Sequence, residues 1–308
     1  MSQGARHSVY FVKEAISGTT PNTPALTVFR ATQNSLDIKI STLESSELRS
    51  DAEVSDLRLG TRSVEGSLSA ELTFGTFDDL IAAALRSTWT TDNKLTAGVL
   101  RQSFTFIDYQ ADLPAADGQY TIYRGCEINS MSMKVSAEGI TTIEFGIIGR
   151  TMEIANALPT GATITAATTT APMDGFSGSL LEGGKAVSVV TEVDLTVENG
   201  IESRYVVGSK TAITPSTKRR TVSGTLNTYF EDNAYRKKFI NETESNISFD
   251  LLDPNSATKK YTVKVPRLKF TEAPRSIDGE GDIMINLNYR GLLDRTVGAS
   301  VQITRVVA

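Results

Sequence analysis

The chain has almost none of the side chains from which most enzyme sites and metal centres are built. Its 308 residues include one cysteine, Cys126, and one histidine, His7. A single cysteine excludes a disulfide within the chain and a zinc site made of cysteines. A single histidine near the start of the sequence also argues against a histidine-based catalytic triad or metal cluster.

Long apolar runs are missing as well. No stretch of the sequence approaches the roughly 20 apolar residues that a membrane span needs. The first 17 residues, MSQGARHSVYFVKEAIS, lack the apolar core and the small-residue cleavage site of a signal peptide. We therefore expect no membrane contact, and synthesis and folding in a cytoplasm.

Phosphate-binding loops and paired catalytic carboxylates are absent in any usable form. Gly279-Glu280-Gly281 lacks a third glycine and precedes a predicted strand, so it indicates a hairpin turn. Asp78-Asp79 open a predicted helix, where the helix dipole favours negative charge and adjacent side chains point apart. Asp51, Glu53 and Asp56 could ligate a divalent cation, but they lack the spacing of a calcium loop. We predict no enzyme activity, no cofactor and no metal.

Charge is unevenly distributed along a chain of ordinary globular composition. Hydrophobic residues make up 40% and charged residues 22%, so a core can be buried and about two domains fit. The net charge of −5 disfavours binding to nucleic acid through its phosphates. Residues 1–157 contain 19 acidic and 13 basic side chains, whereas the remainder contains 17 and 18. The first half therefore carries the acidity.

Two basic runs lie in the second half, Lys218-Arg219-Arg220 and Arg236-Lys237-Lys238. A solvated surface is the simplest interpretation of such runs. The alternative is that they pair with the acidic first half of a neighbouring copy. Trp89 and Cys126 are both predicted to pack as core residues rather than to serve a ligand.

The clearest local pattern lies in residues 44–85. Residues 44–60 are charged, which predicts a flexible segment between two core strands. Residues 63–74 alternate between apolar and polar side chains, which predicts a strand with one buried face. Residues 77–85 have apolar side chains at three- and four-residue steps, which predicts a short helix with one buried stripe.

A similar order of patterns returns in the second half. The predicted strand Glu192–Val197 echoes Ser35–Ile40, and a lone short helix at 232–240 again lies between two strands. We interpret this order as a tandem duplication of a β-rich unit. The predicted organisation is an N-terminal arm (1–34), a first domain (35–157), a linker or insertion rich in Gly, Ala and Thr (158–187), and a second domain (188–308).

Several blocks of sequence point beyond fold class. They are Pro21-Asn22-Thr23-Pro24, Ser46-Glu47-Leu48-Arg49-Ser50-Asp51 with Asp56, Glu65-Gly66-Ser67-Leu68, and Phe77-Asp78-Asp79-Leu80-Ile81 with Trp89. In these blocks the chain resembles the major tail tube proteins of long-tailed, siphovirus-type bacteriophages. The resemblance spans about residues 10–290, and its motifs are structural rather than catalytic.

The resemblance implies a mainly β fold: two tandem β-sandwich tube domains, each flanked by one short α-helix. Their inner sheets would form a barrel in the oligomeric ring. Two domains per chain imply a trimeric ring with pseudo-sixfold symmetry, in a virion protein assembled in the host cytoplasm. The implied partners are further copies of the chain, the tape measure, distal tail and terminator proteins, and DNA that passes through the lumen without specific binding.

The resemblance also assigns roles to two sets of residues. The long loop between two inner strands reaches the next ring, and 198–218 is its counterpart in the second domain. The expected inter-ring contacts are Glu44, Glu47, Arg49, Asp51, Glu53, Asp56 and Arg58. The lumen-facing candidates, on the polar side of the inner strands, are Asp37, Lys39, Glu65, Ser67, Ser69 and Glu71.

Physical arguments agree with this assignment, and three alternatives stay open. Sheet edges that close into a ring have their backbone groups satisfied, and an acidic lumen repels DNA phosphates. A tail terminator or distal tail ring protein would form one ring without polymerising. A carbohydrate-binding β-sandwich module needs clustered aromatic residues, which a chain with 7% aromatic content offers little of. A hydrolase lacks its nucleophile motifs here.

Overall fold

A computed structural model describes residues 4–175, 178–256, 258–277 and 279–307. Within these residues the chain is mainly β, with two α-helices, α1 (Asp78–Ala84) and α2 (Ala234–Ile240), and two short 3-10 helices, Gly4–Arg6 and Ala115–Asp117. None of the described helices has the length and apolar character required to cross a membrane.

The first half of the chain supplies eleven strands. They are β1 (His7–Lys13), β2 (Ala25–Phe29), β3 (Ala31–Asn34), β4 (Asp37–Glu44), β5 (Leu57–Glu71), β6 (Lys94–Thr96), β7 (Phe104–Gln110), β8 (Tyr120–Ser136), β9 (Thr142–Gly149), β10 (Thr151–Ala155) and β11 (Thr163–Thr165).

The second half supplies the same number. They are β12 (Leu180–Glu182), β13 (Lys185–Ala186), β14 (Val190–Glu198), β15 (Ile201–Arg204), β16 (Ile213–Thr217), β17 (Thr221–Tyr229), β18 (Ser245–Leu252), β19 (Lys260–Glu272), β20 (Arg275–Ser276), β21 (Met284–Gly291) and β22 (Gln302–Val306).

Eight strands form one long front sheet in the order β4-β5-β9-β8-β14-β17-β21-β19. Two back sheets, β2-β1-β7-β8-β10 and β12-β18-β19-β22-β6, join it because β8 and β19 each begin in a back sheet and end in the front sheet. The hydrogen-bonded network of these strands is open, since the described strands do not close it into a barrel. The core fills the space between front and back sheets.

The alternation predicted for residues 63–74 is confirmed for residues 64–72, but Ser63 and Thr73 at the polar positions are buried. Val64, Leu68 and Leu72 are fully buried, whereas Glu65 between them is exposed. The helix that follows is shorter than predicted, and it is buried along its length rather than along one stripe. Its burial requires cover from both halves of the chain.

The strand pairings of the second half repeat those of the first. The pairs β1–β7, β4–β5, β5–β9, β9–β8, β7–β8 and β8–β10 recur as β12–β18, β14–β17, β17–β21, β21–β19, β18–β19 and β19–β22. Even an irregularity recurs. The register of β8 against β9 shifts between Ile128 and Ser130, and that of β19 against β21 shifts between Phe270 and Glu272.

The register corrects the predicted residue-by-residue echo. Gly66 in β5 and Gly224 in β17 occupy the same place, opposite Ile147 in β9 and Tyr289 in β21. From these anchors Asp37 corresponds to Thr196, two residues away from the predicted partner Asp194. The order of elements was therefore predictable, but the residue match was wrong, because alternating strands slide by two without changing face.

Three predicted boundaries differ from the structure. Residues 7–34, expected as an arm, supply three strands to the sheets, with β1 between β2 and β7. Residues 44–60 were expected as a flexible segment, but β5 already begins at Leu57. The predicted linker 158–187, partly outside the described residues, has Met173 fully buried, because its backbone bonds to Leu72 and Thr141.

Candidate assembly surfaces

The six residues predicted to face a lumen lie on one face of the front sheet. Asp37 and Glu65 are directly opposite each other on β4 and β5, and the remaining candidates share their alternation. All six are exposed or half-buried. The opposite face of the same strands is the core face, so strand alternation alone separates these two sets.

Acidic side chains dominate this polar face along the whole front sheet. The acidic members are Asp37, Glu65, Glu71, Glu127, Glu144, Glu192, Asp194, Glu198 and Glu272, against the basic Lys39, Lys134, Lys269 and Arg290. Lys134 and Glu192 form an ion pair across the junction of β8 and β14. The Lys134 ammonium group lowers the pKa of the Glu192 carboxyl. The face is therefore acidic at neutral pH.

The residues predicted to contact a second ring lie on a hairpin that projects from the sheets. We call residues 39–59 the first hairpin; every one of them is exposed. Near its tip, Arg49 pairs with Asp51 and Arg58 pairs with Asp56, at 2.6 and 2.9 Å. These carboxylates are therefore engaged in ion pairs, and among the described residues no group of acidic, histidine or cysteine side chains could hold a metal ion.

The first hairpin also exposes apolar side chains, which the charge pattern did not predict to be functional. Leu48 at the tip is 100% exposed. The other exposed apolar residues of the hairpin are Ile40, Leu43, Val54, Leu57 and Leu59. Exposed apolar side chains gathered on one projection are typical of a protein contact surface.

Residues 199–220, which we call the second hairpin, stand at the equivalent place in the second half but fold down onto α1. The Asn199 side-chain amide donates to the Ala84 carbonyl at 2.9 Å. The Arg220 guanidinium donates to the Leu85 and Gly98 carbonyls at 3.2 and 2.7 Å, and to the Asn199 side-chain oxygen at 3.0 Å. Burial and the nearby Arg86 lower the pKa of Arg220 to about 10.

The solvated-surface interpretation of the two basic runs is wrong for part of each run. Arg220 is held against α1 as described, whereas the pair of Lys218 with Glu202 is solvent-exposed and agrees with the solvated interpretation. In the other run, Lys238 pairs at 2.7 Å with Glu182, whose side chain is buried. These partners lie in the same chain, so the basic runs need no neighbour for them.

Residues from both halves cover α1. Asp78 accepts a hydrogen bond from the Tyr261 hydroxyl at 2.5 Å and pairs with Arg305. Trp89 lies between these two groups: its indole stacks on Tyr261 and its face meets the Arg305 guanidinium, 4.7 Å from the ring centroid. Burial and the Asp78 carboxylate raise the pKa of Tyr261. Trp89 therefore packs, as predicted, between the halves.

The second helix has no comparable cover. None of the residues of α2 is buried, although Tyr235 meets Phe270 edge-on beneath it. Phe239 and Ile240 at its C-terminal end are exposed, Ile240 by 70%. The same element thus lies in the core of the first half and at the surface of the second.

The front sheet ends in two free edges. At the β4 edge, the backbone N–H groups of Leu36 and Ile38 point away from β5 and are bonded by the side chains of Asn34 and Asp37, at 2.9 and 2.7 Å. At the other end, β19 is followed by β20, for which the described strands supply one neighbouring strand, β21. We call residues 34–39 the β4 edge and residues 272–277 the β20 edge.

A cleft of about 550 Å³ lies beside the β4 edge. Its lining includes the only histidine, His7, which contacts the buried carboxylate of Asp108. Desolvation raises the pKa of Asp108, against the opposing effect of His7. The only cysteine, Cys126, is fully buried under the sheets, which raises the pKa of its thiol, so it behaves as a core residue, as predicted.

A protein-family model described as phage tail tube protein matches residues 4–291, which is nearly the whole chain. A search of curated proteins finds no match. The family match covers both halves, including both hairpins, both helices and both free edges.

Proposed function

The chain belongs to the phage tail tube protein family, so it is a structural component of a phage virion, and we propose that its copies form the hollow tube of a siphovirus-type tail. DNA would leave the virion through this tube. The single observation that carries the proposal is the front sheet: eight strands with one polar face, one core face and a free edge at each end. A role in a structural family also points to a protein without enzyme activity.

We propose that the chain consists of two tandem tube domains and that three chains close one ring. Six recurring strand pairings and a recurring register shift support the duplication. In the chain, β8 of the first half pairs with β14 of the second, which already joins two units edge to edge. Repeating that junction between chains gives a pseudo-sixfold ring from three copies.

In this ring the polar face of the front sheet would line the lumen. Its excess of carboxylates supports this placement, because negative charge on the wall repels DNA phosphates and prevents retention. Asp37, Glu65 and Glu71 are among the residues predicted from sequence for this role. Passage without specific binding requires such a wall.

The first hairpin would join one ring to the next, since it is exposed throughout and carries both charge and apolar side chains. Deleting residues 46–56 should leave a folded chain that no longer stacks into tubes. The check is sedimentation and electron microscopy beside thermal melting. Normal tubes from this deletion variant would refute the inter-ring role. The tape measure, distal tail and terminator proteins would be further partners, met after assembly in the host cytoplasm.

The experiment that tests the proposal is negative-stain electron microscopy of the purified chain, with averages of end-on views. Hollow filaments with rings of three chains and six similar lobes are expected. Single rings that never stack would instead assign the chain to a tail terminator or distal tail role. Chains that remain monomeric at high concentration would refute self-assembly altogether.

A further inference from the structure

We propose one register for the contact between neighbouring chains: the β20 edge of one copy pairs antiparallel with the β4 edge of the next, Glu272 opposite Lys39. The inference rests on the proposed ring and specifies which backbone groups join it. The partner is a second copy of this chain. The template for this contact is the junction of β8 and β14 within the chain.

In that junction, β8 pairs with β14 from Ser130 opposite Glu198 to Ser136 opposite Glu192. Two bonds just outside the strands fix which pairs are hydrogen-bonded. The Ala137 N–H donates to the Thr191 carbonyl at 2.9 Å, and the Asn199 N–H donates to a carbonyl of β8 at 2.8 Å. Odd-numbered residues of β8 therefore form the hydrogen-bonded pairs, and even-numbered residues form the pairs with closer side chains.

The recurring strand pairings identify which residues of the two free edges are equivalent to those of the β8–β14 junction. Ser130 and Glu272 both follow the shared register shift, and they face Gly146 and Asn288, which are equivalent through β5 and β17. Residues 33–39 of β3 and β4 correspond in the same way to residues 192–198 of β14. The resulting pairs between chains are Glu272–Lys39, Ala273–Ile38, Pro274–Asp37, Arg275–Leu36, Ser276–Ser35 and Ile277–Asn34.

The backbone donors at the β4 edge agree with this register. Hydrogen-bonded pairs are expected at Leu36 and Ile38, and these are the residues whose N–H groups point outward. Pro274 falls at a position between hydrogen-bonded pairs, where its missing N–H removes no bond to the neighbour. A register shifted by one residue would place the proline at a required donor and set the core face of one copy on the same side as the polar face of the next.

The side chains agree as well. Glu272 is opposite Lys39 on the polar face, so opposite charges meet across the contact. The cleft beside the β4 edge contains Asp37 and Asp108, and Arg275 of the neighbour would lie at its rim. A positive side chain thus meets an acidic cleft, while the acidic Glu272 meets a lysine.

The volume of the cleft beside the β4 edge also supports the insertion of a strand from the next copy. The equivalent cleft at the junction within the chain is about 130 Å³, against about 550 Å³ at the free edge. Val135 of β8 lines the smaller cleft, beside Val193 and Phe249. In the proposed register Ile277 occupies the place of Val135, and its side chain is 57% exposed in the single chain. The free-edge cleft is larger because its strand is supplied by the next copy.

The test is a disulfide between copies, made with Ser35→Cys and Ser276→Cys in one chain. Both serines are exposed, and they form a pair with close side chains, within reach of a disulfide. Oxidation of assembled protein should give a ladder of covalent dimer and trimer that reducing agent removes. The natural Cys126 is fully buried and stays out of the reaction. Each single-cysteine variant should give no ladder.

The matched control keeps Ser276→Cys and moves the partner to Asp37→Cys, which tests a register shifted by two residues. A stronger ladder from this control, or tubes that form without any ladder from the first pair, overturns the register and leaves the tube function standing. Natural chains that show no rings or tubes under the microscope overturn the proposed function, and the register with it. A melting temperature equal to that of the natural chain shows that the variants are folded.

Discussion

The two hairpins hold the same place in the strand order but differ at their bases. The first hairpin is exposed over its whole length, whereas the second is fixed at its base to α1 by Asn199 and Arg220 and has its longest exposed run near its tip, at residues 204–208. Arg62 and Arg220 are equivalent by register, yet Arg62 is exposed and Arg220 is buried against carbonyl groups. Equal position in the strand order therefore does not imply equal contacts.

A short stretch of sequence accounts for the different direction of the second hairpin. β14 ends at Glu198, and in the Asn199-Gly200 that follows Gly200 has a φ of +58°, which turns the chain out of the strand direction. A side chain at Gly200 would also lie 2.9 Å from the Lys218 side chain. The equivalent residues of the first half, Ile40-Ser41, continue β4, whose register against β5 shifts between Ile40 and Thr42 without ending the strand. The turn at Asn199-Gly200 therefore distinguishes the second hairpin, which is fixed, from the first hairpin, which is free.

The two helices also differ: α1 is buried, whereas α2 lies at the surface. The second half covers α1, whereas the described residues bury none of α2. The two helices therefore differ in cover, although they follow equivalent strands, β5 and β17. The following predictions test this difference, in order of their expected effect on the free energy of unfolding.

The largest effect is expected from the helices. Ile81→Ala on α1 should lower the free energy of unfolding by about 3 kcal/mol, because it opens a cavity at a fully buried position. Ile240→Ala on α2 should change it by less than about 0.5 kcal/mol, because the side chain is exposed. Chemical denaturation measures both values. Equal losses for the two variants would contradict the asymmetry, and Ile240→Ala is expected to weaken assembly instead.

The equivalent arginines should differ by a smaller amount. Arg220→Met removes donors from the Leu85 and Gly98 carbonyls and should cost about 2 kcal/mol. Arg62→Met, at the equivalent exposed position, should stay within about 0.5 kcal/mol. Urea denaturation of the two variants side by side checks the difference. A harmless Arg220→Met would show that the second hairpin is not fixed by this contact.

At high pH the melting temperature should depend more on Tyr261, near the start of β19, than on Tyr120, the first residue of β8. Tyr261 is buried and has a raised pKa, so its contribution to stability is complete below about pH 10 and is lost as the pH rises further. Tyr261→Phe should therefore flatten the alkaline decline of the melting temperature. Tyr120 is half-buried, stacks on Tyr109 and has a raised pKa too, so Tyr120→Phe should flatten that decline by less than Tyr261→Phe does. If the melting temperatures of the natural chain and of Tyr261→Phe declined equally with rising pH, the raised pKa of Tyr261 would be contradicted.

The smallest effect is expected from the ion pairs. Arg49→Gln in the first hairpin should not change the melting temperature, because Arg49 and Asp51 are solvent-exposed. Lys238→Gln should lower stability by about 1 kcal/mol, since it leaves the buried Glu182 carboxylate with fewer donors. Differential scanning calorimetry compares the two. A clear loss for Arg49→Gln would mean that the first hairpin is structured by its own charges.

The sequence predicted the features that depend on local periodicity. Alternation in residues 63–74 identified the buried face of β5, and the same alternation placed all six candidate residues on one face. The family was identified from blocks around the first hairpin and α1, and the family match confirms it. A mainly β fold with one short helix in each half also followed from the order of the patterns.

Long-range contacts left no such signal. Asn199 and Ala84 are 115 residues apart, and Asp78 and Arg305 are 227 apart. Asp78 fitted the first turn of a helix, which concealed its role in joining the halves. The path of β8 from a back sheet to the front sheet gave no signal either, because its register shifts disturb the alternation there. The pairing of His7 with Asp108 was likewise beyond local pattern.

The side-chain hydrogen bonds at the β4 edge affect when assembly of the subunits begins. Asn34 and Asp37 occupy the outward N–H groups of Leu36 and Ile38 with bonds from the same chain. A newly made subunit is thereby shielded from random strand addition, since incoming carbonyls must first displace these side chains. Two isolated subunits gain little from that exchange, whereas a subunit that meets a preformed ring gains a complete edge and a second contact. Growth should therefore show a lag phase that seeds abolish, so a tube begins where a template is provided.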